Sequence, residues 1–226
     1  MKILFTKILD EQVISETLGS HFSYDFEEVI KIREHHIQPF YLKNYSLIFT
    51  SVNGVKAFFH NGFQPNENFA EANYNRIYAV GKKTKAELRK NGFGTFKVFR
   101  NAQEMCEFII ENANSESFLH FCGDLSLDIL NEALPLQNIQ YKKIIVYTTD
   151  LLEPKITSTY DVLVFFSPSG VRSFVKNNAL SAKFIFSIGA TTEAELKKYT
   201  NQTIYSSSEN HLKDLLHLMK EKLTAY

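Results

Sequence analysis

Small hydroxyl residues and glycines follow short apolar runs at four points of the chain. The clusters are Thr50-Ser51, Ser167-Pro168-Ser169-Gly170, Gly189-Ala190-Thr191-Thr192 and Ser206-Ser207-Ser208. If the apolar runs are parallel strands, these clusters lie at their carboxyl ends, where open α/β sheets bind ligands. Helix N-termini at such points offer free backbone N–H groups to carboxylates or phosphates. The same hydroxyls also serve as ordinary helix N-caps, and the sequence leaves both interpretations open.

Tyr147 is a candidate of another kind. It lies in the run Ile144–Thr149, on a predicted strand that leaves one half of the chain for the other. A hydroxyl in that position would reach a cleft between the halves. A tyrosine that only packs at a strand end is the alternative, and residue types alone do not decide between the two.

The motifs of common cofactor and metal sites are missing from the sequence. The nearest Gly-x-Gly, at Gly92–Gly94, follows a predicted helix and precedes a strand, which is the wrong side for phosphate. The histidines show no HExxH spacing, and Cys106 and Cys122 form no CxxC pair. No serine lies in a G-x-S-x-G elbow. The sequence therefore predicts no cofactor, no metal and no standard nucleophile.

The composition favours a soluble cytoplasmic protein. The chain has 226 residues, of which 44% are hydrophobic, enough for one large core or two smaller ones. Its 25 basic residues balance 25 acidic ones, so the net charge gives no reason to expect a nucleic-acid or membrane partner. No apolar run approaches the roughly 20 residues that span a bilayer. Residues 1–7 are typical of a first strand rather than of a signal peptide.

The elements that would position the candidate residues occur twice. Residues 77–90, IYAVGKKTKAELRK, align without gaps on residues 185–198, IFSIGATTEAELKK. Upstream, residues 47–59, LIFTSVNGVKAFF, align on residues 163–175, LVFFSPSGVRSFV. Each block has an apolar strand, a small-residue turn and an amphipathic helix. A duplicated ancestral unit is the simplest explanation.

Further segments extend the repeat in both directions and complete an alternation of strands and helices. This alternation predicts two similar α/β units with parallel sheets, and a cleft between such units is the default place for a ligand. The predicted pairs are strands Lys2–Thr6 and Phe118–Cys122, helices Glu11–Leu18 and Leu125–Leu134, long strands Tyr24–Arg33 and Tyr141–Leu151, strands Phe96–Phe99 and Thr203–Tyr205, and helices Ala102–Ala113 and His211–Leu223 with N-caps Asn101 and Ser208.

Six sequence blocks, taken in order, resemble the signature blocks of uroporphyrinogen-III synthases. The resemblance runs from residue 45 to residue 200, and its most specific part is SPSGV with IGATTEAEL after a tyrosine-bearing strand. The blocks are FTSVNGVKAFF (49–59), AVGKKTKAEL (79–88), GDLSLDIL (123–130), IIVYTTDL (144–151), FFSPSGVRSFV (165–175) and SIGATTEAEL (187–196).

The resemblance implies two α/β domains, with parallel sheets flanked by helices, joined by a two-stranded β-ladder. Mapped onto this chain, residues 1–30 and 152–226 form one discontinuous domain and residues 38–140 form the other. Residues 31–37 and 141–151 are then the connecting ladder.

The resemblance also implies a reaction. Uroporphyrinogen-III synthases cyclise hydroxymethylbilane to uroporphyrinogen III in tetrapyrrole (haem) biosynthesis, with loss of water and inversion of ring D through a spiro intermediate. No cofactor takes part. Tyr147 matches the family tyrosine proposed to protonate the leaving hydroxyl. The family further implies a monomer, with transient contact to the preceding pathway enzyme.

The substrate of this family carries eight carboxylates. The resemblance implies that the hydroxyl and glycine clusters after the strands bind these carboxylates. Lys56 and Arg172 occupy equivalent positions and are either contacts or solvated helix charges. The usual Thr-Arg-Pro is replaced by Thr6-Lys7-Ile8, in which Lys7 keeps the charge, and an Arg-Gly is replaced by Cys122-Gly123. The implied contacts are Thr50, Ser51, Ser167, Ser169, Gly170, Thr191, Thr192, Lys7, Lys56 and Arg172.

A non-enzymatic protein is the competing hypothesis. Two α/β units that close on a small anionic ligand would suit a sensor equally well, since a fold does not fix a function. A synthase that has lost its activity is a variant of this hypothesis. Tyr147 within its proper block favours the enzyme.

Overall fold

The computed structural model describes residues 1–19, 21–66, 68, 70–71 and 74–224. Its strands are β1 (Lys2–Phe5), β2 (Ser23–Phe26), β3 (Ile30–Glu34), β4 (Tyr45–Phe49), β5 (Ile77–Val80), β6 (Lys97–Phe99), β7 (Ser117–Gly123), β8 (Tyr141–Leu151), β9 (Val162–Phe165), β10 (Phe184–Ser187) and β11 (Ile204–Ser206). Its helices are α1 (Glu11–Leu18), α2 (Val52–His60), α3 (Lys82–Lys90), α4 (Ala102–Asn112), α5 (Ile129–Leu136), α6 (Pro168–Val175), α7 (Ala190–Leu196) and α8 (Leu212–Thr224).

The chain divides into two units. The first unit comprises Met1–Lys31 and Asp150–Tyr226, and the second comprises Ile32–Thr149. Each unit has its own sheet and its own buried clusters. No helix in the described part of the chain is both long enough and apolar enough to cross a bilayer.

The first unit holds a parallel sheet with the order β11-β10-β9-β1-β2. Its three central strands, β10, β9 and β1, are buried on both faces, as parallel strands covered by helices require, whereas Ser23 and Asp25 on the edge strand β2 are exposed. Ile3 and Phe5 point into a cluster with α1 and α8, whereas Leu4 points to the opposite face against α6 and α7. All three side chains are at most 1% exposed.

The second unit holds a sheet with the order β3-β8-β7-β4-β5-β6, in which β8 through β6 pair in parallel. Leu47 and Phe49 on β4 pack with Phe58 of α2, and Ile48 packs on the other face with α4 and α5. The two units thus repeat one layered arrangement, and the predicted α/β class with parallel sheets flanked by helices is confirmed.

Several predicted boundaries are confirmed. Helix α1 and strand β8 have the predicted limits, and Asn101 caps α4 by accepting a hydrogen bond from Glu104 N at 2.9 Å. In the two helices, apolar periodicity and a capping side chain agree on where the helix begins.

The predicted long strand Tyr24–Arg33 is wrong, because it is two strands. β2 pairs with β1 in the first unit, and β3 lies beside β8 in the second. Between them Val29 is 1% exposed, and its carbonyl accepts hydrogen bonds from Leu152 N and from Ser173 Oγ. The apolar-polar alternation is also broken at Glu28-Val29, where a charged residue stands in an apolar position and an apolar residue in a polar one.

Two predicted helix starts are also wrong. The helix predicted from Leu125 begins at Ile129, because Ser126 N turns back to the carbonyl of Gly123. Ser208 is not the N-cap of the last helix, which begins at Leu212. Asn210, with a left-handed φ of 51°, separates Ser208 from that helix.

Candidate active site

The loop from β4 into α2 fixes Ser51 at the carboxyl end of a central strand. Ser51 is the N-cap of α2, with φ −152° and ψ 154°, and its Oγ accepts a hydrogen bond from Gly54 N at 3.0 Å. A Cβ on Gly54 would lie 2.6 Å from the carbonyl oxygen of Phe121. Glycine is required there because the first turn of α2 lies directly against β7.

Tyr147 on β8 approaches the same point. Its hydroxyl oxygen lies 3.1 Å from Ser51 Oγ. The pairing of β7 with β8 shifts after Cys122, so Gly123 is opposite Tyr147. A Cβ on Gly123 would stand 2.8 Å from the Tyr147 hydroxyl. The bulge and the missing side chain together allow the tyrosine ring to lie over the end of β7.

The Tyr147 hydroxyl is protonated at neutral pH. Burial raises the pKa of Tyr147, and the hydrogen bond from Ser51 only partly opposes this effect. A buried phenol loses hydration more severely as the anion than as the neutral form. At neutral pH this group is therefore a proton donor and not a base.

A buried polar chain begins at the residue before Ser51. Thr50 Oγ1 lies 2.8 Å from His120 Nε2, and His120 Nδ1 lies 2.6 Å from the hydroxyl of Tyr141. His120 is 1% exposed. Burial, with a smaller effect from Lys143, lowers the pKa of His120 to about 3, so the ring is neutral.

The loop from β9 into α6 repeats the serine cap in the first unit. Ser167 has φ −161° and ψ 154°, and its Oγ accepts from Gly170 N at 3.0 Å. Ser169 Oγ lies 3.2 Å from Ser167 Oγ. A Cβ on Gly170 would meet Val29 Cγ2 at 3.1 Å, so this turn is also closely packed.

The two predicted threonines at the start of α7 differ in their exposure. Thr191 is exposed, whereas Thr192 is 1% exposed and its N–H donates to the carbonyl of Gly189. Only the Thr191 side chain is accessible to a ligand as the unit stands. Thr192 belongs to the packed start of the helix.

The predicted basic residues differ in their surroundings. Lys7 and Lys56 are exposed. Arg172, the counterpart of Lys56, has its Nη1 3.5 Å from Glu195 Oε2, and the side chain of Glu195 is only 8% exposed. Arg172 thus links α6 to α7, and its equivalence to Lys56 in the sequence does not extend to its contacts.

The two departures from the family pattern have local explanations. Thr6 is buried, and its Oγ1 donates to the carbonyl of Val164 at 2.8 Å, which leaves the exposed Lys7 as the cation. Cys122 accepts a hydrogen bond from Ser126 Oγ at 3.2 Å, and burial raises the pKa of its thiol. Cys122 therefore supplies no charge where the family pattern has an arginine.

Three residues of this region, His120, Tyr141 and Gly123, are not among the predicted site residues. His120 stands in an apolar strand segment, FLHFC, where a lone histidine is easily taken for a core residue. Tyr141 carries no motif of its own, and Gly123 opens the block GDLSLDIL without any sign in the sequence that it faces Tyr147. The only available signal was that His120 is the one polar side chain among the apolar residues 118–122. Across the described residues, no group of three or more His, Cys, Asp or Glu side chains could hold a metal ion.

The chain is similar in sequence and in fold to proteins of one known family. The model of the family described as uroporphyrinogen-III synthase HemD matches residues 27–217. The fold matches that of uroporphyrinogen-III synthetase from Helicobacter pylori, with a TM-score of 0.67 and 17% sequence identity. The match covers 100% of this chain and 99% of the other. The fold also matches a mutant uroporphyrinogen III synthase from Thermus thermophilus, with TM-score 0.68, 13% identity and coverage of 100% and 99%. No curated protein sequence matches the chain. The chain belongs to the uroporphyrinogen-III synthase family, the cofactor-independent cyclases of tetrapyrrole biosynthesis.

Proposed function

We propose that Tyr147 donates the proton in the family reaction, the closure of hydroxymethylbilane to uroporphyrinogen III with loss of water. One observation carries this assignment. The Tyr147 hydroxyl is held 3.1 Å from Ser51 Oγ at the carboxyl end of β4, and burial raises its pKa. A donor that is protonated at neutral pH and fixed at a strand end is what departure of a hydroxyl group requires.

The proposed chemistry needs one proton and a constrained geometry. Tyr147 protonates the terminal hydroxyl on ring A, the C–O bond breaks, and water leaves. The resulting azafulvene is attacked by ring D through its substituted carbon. The spiro intermediate fragments and recloses with ring D reversed. The ring then loses a proton, so the reaction consumes no proton overall. The protein contributes mainly orientation, which can replace strong acids in an intramolecular closure.

The Ser51 hydroxyl supports the donor. The Gly54 N–H occupies one acceptor position on Ser51 Oγ. This bond holds the oxygen in place, so that its own hydrogen can be given to the Tyr147 oxygen. A phenolate formed after proton transfer would be stabilised by that hydrogen bond.

We propose that the exposed and half-buried polar groups at the strand ends bind the substrate carboxylates. In the second unit these groups are Thr50 and Lys56, and in the first unit they are Ser167, Ser169, Thr191 and Lys7. Gly170, predicted with them, is buried, and its N–H donates to Ser167 Oγ. The burial of Thr192 and the ion pair of Arg172 with Glu195 favour supporting roles for these two residues.

The isomer of the product tests the proposed function. Purified protein is supplied with enzymatically generated hydroxymethylbilane, and the oxidised type I and type III porphyrins are separated by chromatography. We expect mainly type III, because only the enzyme inverts ring D. Type I alone, from protein shown to be folded by circular dichroism, would contradict the proposal and indicate a binding protein or an inactive relative.

We further propose that the chain acts as a cytoplasmic monomer, with only transient contact to the enzyme that supplies its substrate. The balance of 25 basic and 25 acidic residues supports this, since no net field favours a charged partner. Light scattering during size-exclusion chromatography tests the monomer, and a mass twice that of one chain would contradict it.

A further inference from the structure

The chain of hydrogen bonds from Thr50 through His120 to Tyr141 links three neighbouring strands of the second unit. Thr50 follows β4, His120 lies on β7 and Tyr141 begins β8. The two distances, 2.8 Å and 2.6 Å, are both within hydrogen-bond range. His120 is buried and neutral, so it carries one ring hydrogen, which can lie on either nitrogen.

The surroundings of Tyr141 decide which nitrogen carries that hydrogen. Within the described residues, the Tyr141 hydroxyl meets no acceptor other than His120 Nδ1. If the histidine donated from Nδ1, the phenol hydrogen would have no partner among the described residues. If the phenol donates to Nδ1, the histidine hydrogen lies on Nε2 and points to Thr50 Oγ1. The second arrangement leaves no hydrogen of the two rings unpaired, and it is favoured for that reason.

The direction of these bonds determines what Thr50 offers to a ligand. Thr50 Oγ1 accepts from His120 Nε2, so its own hydrogen is not used by the ring. No other acceptor for this hydroxyl is found in the part of the chain that the structure describes. Thr50 is half-buried and lies at the carboxyl end of β4, next to Ser51. It is therefore a hydrogen-bond donor beside the proposed acid.

The first unit shows that the fold does not need this polar chain. The repeat aligns Thr50 with Phe166, and Ile48, which pairs with His120, aligns with Val164, which pairs with Phe5.

The same register aligns Tyr141 with Tyr24. In the first unit, Phe5 contacts Phe166 and Tyr24 with ring centroids 6.4 Å and 6.1 Å apart. An aromatic cluster thus fills the place that a polar chain fills in the second unit.

We propose that His120 and Tyr141 are positioning residues that fix the Thr50 hydroxyl as a donor toward a carboxylate of the substrate. This inference rests on the proposed function, in which the ligand is a polycarboxylate bound at the end of β4. A buried polar chain costs stability relative to an aromatic cluster of similar size unless all its bonds are made. A role in binding accounts for its presence in one unit only.

The most direct test is to determine which ring nitrogen of His120 carries the hydrogen. A long-range proton–nitrogen correlation spectrum of the uniformly labelled, ligand-free protein shows which ring nitrogen is protonated. We expect the hydrogen on Nε2. A hydrogen on Nδ1 would overturn the inference, because Thr50 would then donate to the ring and offer only an acceptor to the ligand.

Kinetics give an independent readout. Tyr141→Phe should raise KM for hydroxymethylbilane roughly three- to tenfold, the range for one hydrogen bond, with kcat changed less than about twofold. Tyr24→Phe removes the matched hydroxyl of the first unit and should leave KM unchanged. In a Thr50→Val background, Tyr141→Phe should have no further effect, because its action passes through Thr50. Thr50→Ser, which keeps the hydroxyl, should reverse most of the rise in KM caused by Thr50→Val.

The outcomes separate this inference from the proposed function. If the wild type forms the type III isomer but the effects of Tyr141→Phe and Thr50→Val multiply, the inference is overturned and the function is not. If the wild type forms only type I, the function fails, and the same variants are compared by their affinity for uroporphyrin III. If Tyr141→Phe weakens uroporphyrin III binding in the wild type but not in the Thr50→Val background, the donor role is still supported. If the two substitutions weaken binding independently, the donor role is overturned.

Discussion

The carboxyl ends of β4 and β9 are built on one plan and differ in what surrounds them. Ser51 and Ser167 have nearly the same backbone angles, and each accepts a 3.0 Å hydrogen bond from a glycine three residues later. Both glycines leave no room for a larger residue without some shift of their neighbours. The capped turn is therefore a shared framework, and neither unit gains a chemical function from it alone.

The neighbouring strands make the difference. In the second unit, Tyr147 lies 3.1 Å from the capping serine, and His120 connects Thr50 to a second tyrosine. In the first unit, Ser167 has Ser169 beside it, and Phe5 lies where His120 would be. Under the proposed function, one turn geometry serves binding in the first unit and supports proton transfer in the second, and the residues of the adjacent strands make the difference.

The largest expected effect follows removal of the Tyr147 hydroxyl. Tyr147→Phe should lower kcat by about 100-fold or more, the usual contribution of a positioned acid, because the leaving hydroxyl then loses its proposed proton donor. Formation of the type III isomer measures it. Tyr160→Phe is the control, since that hydroxyl binds Asp25 at 2.7 Å in the first unit, just before the amino end of β9. A kcat within about threefold of wild type for Tyr147→Phe would remove this residue from the acid role.

A smaller loss of kcat should follow a methyl group at Gly123. Gly123→Ala places a Cβ 2.8 Å from the Tyr147 hydroxyl, so the ring must move from its place beside Ser51. We expect about a tenfold lower kcat, since a displacement of an ångström in a catalytic group costs that much or more. Added to Tyr147→Phe, the change should lower kcat no further. A further loss in the double variant would show that Gly123 acts on something other than the tyrosine.

A negative charge at the first unit's edge should change binding and leave the chemical step alone. Ser169→Glu should raise KM about tenfold with little change in kcat, because a carboxylate would face the carboxylates of the substrate. Ser181→Glu is the matched control, since Ser181 is exposed in the segment before β10, at the other end of the same sheet. Equal KM values for the two variants would show that the first unit's edge has been assigned wrongly.

The smallest effect concerns stability in acid. The pKa of His120 is about 3 in the folded protein, below the ordinary value for histidine, so the unfolded chain binds a proton first as the pH falls. The stability that comes from the neutral ring is fully present above about pH 6.5 and is lost toward pH 3, at about 1 kcal/mol per pH unit.

Urea unfolding at pH 6 and at pH 4.5 measures this loss. His120→Phe, which copies the Phe5 of the first unit, should lose less stability than the wild type between the two values. His217→Gln, on the exposed surface of α8, should behave like the wild type. The same pH dependence in wild type and His120→Phe would mean that the buried histidine is not the group that titrates.

The frame of the molecule could be predicted from the sequence, because local signals determine it. The repeat of apolar strand, small-residue turn and amphipathic helix indicated both units, and the cap at Asn101 was evident from its residue type and position. The prediction of one strand over residues 24–33 failed because it passed over a break in the alternation at Glu28-Val29. The contacts of Val29 with α6 and with Leu152 lie at this break, and β2 ends before it.

The details of the site depended on contacts between distant residues. Tyr147 could be singled out from its strand, but its bond to Ser51 depends on a bulge opposite Gly123 that no local pattern indicates. His120 lies among apolar residues, and only the register of β4, β7 and β8 shows that it joins Thr50 to Tyr141. Such registers are set by the packing of whole sheets and not by any one segment.

The two capping serines allow the most direct test of the division between binding and proton transfer. Ser51→Ala and Ser167→Ala remove the same hydroxyl from the same backbone geometry, and each should lower the free energy of unfolding by about 1 kcal/mol. We predict that Ser51→Ala lowers kcat by about fivefold or more, since Tyr147 loses its partner, whereas Ser167→Ala changes only KM. Equal changes of kcat in the two variants would contradict the account.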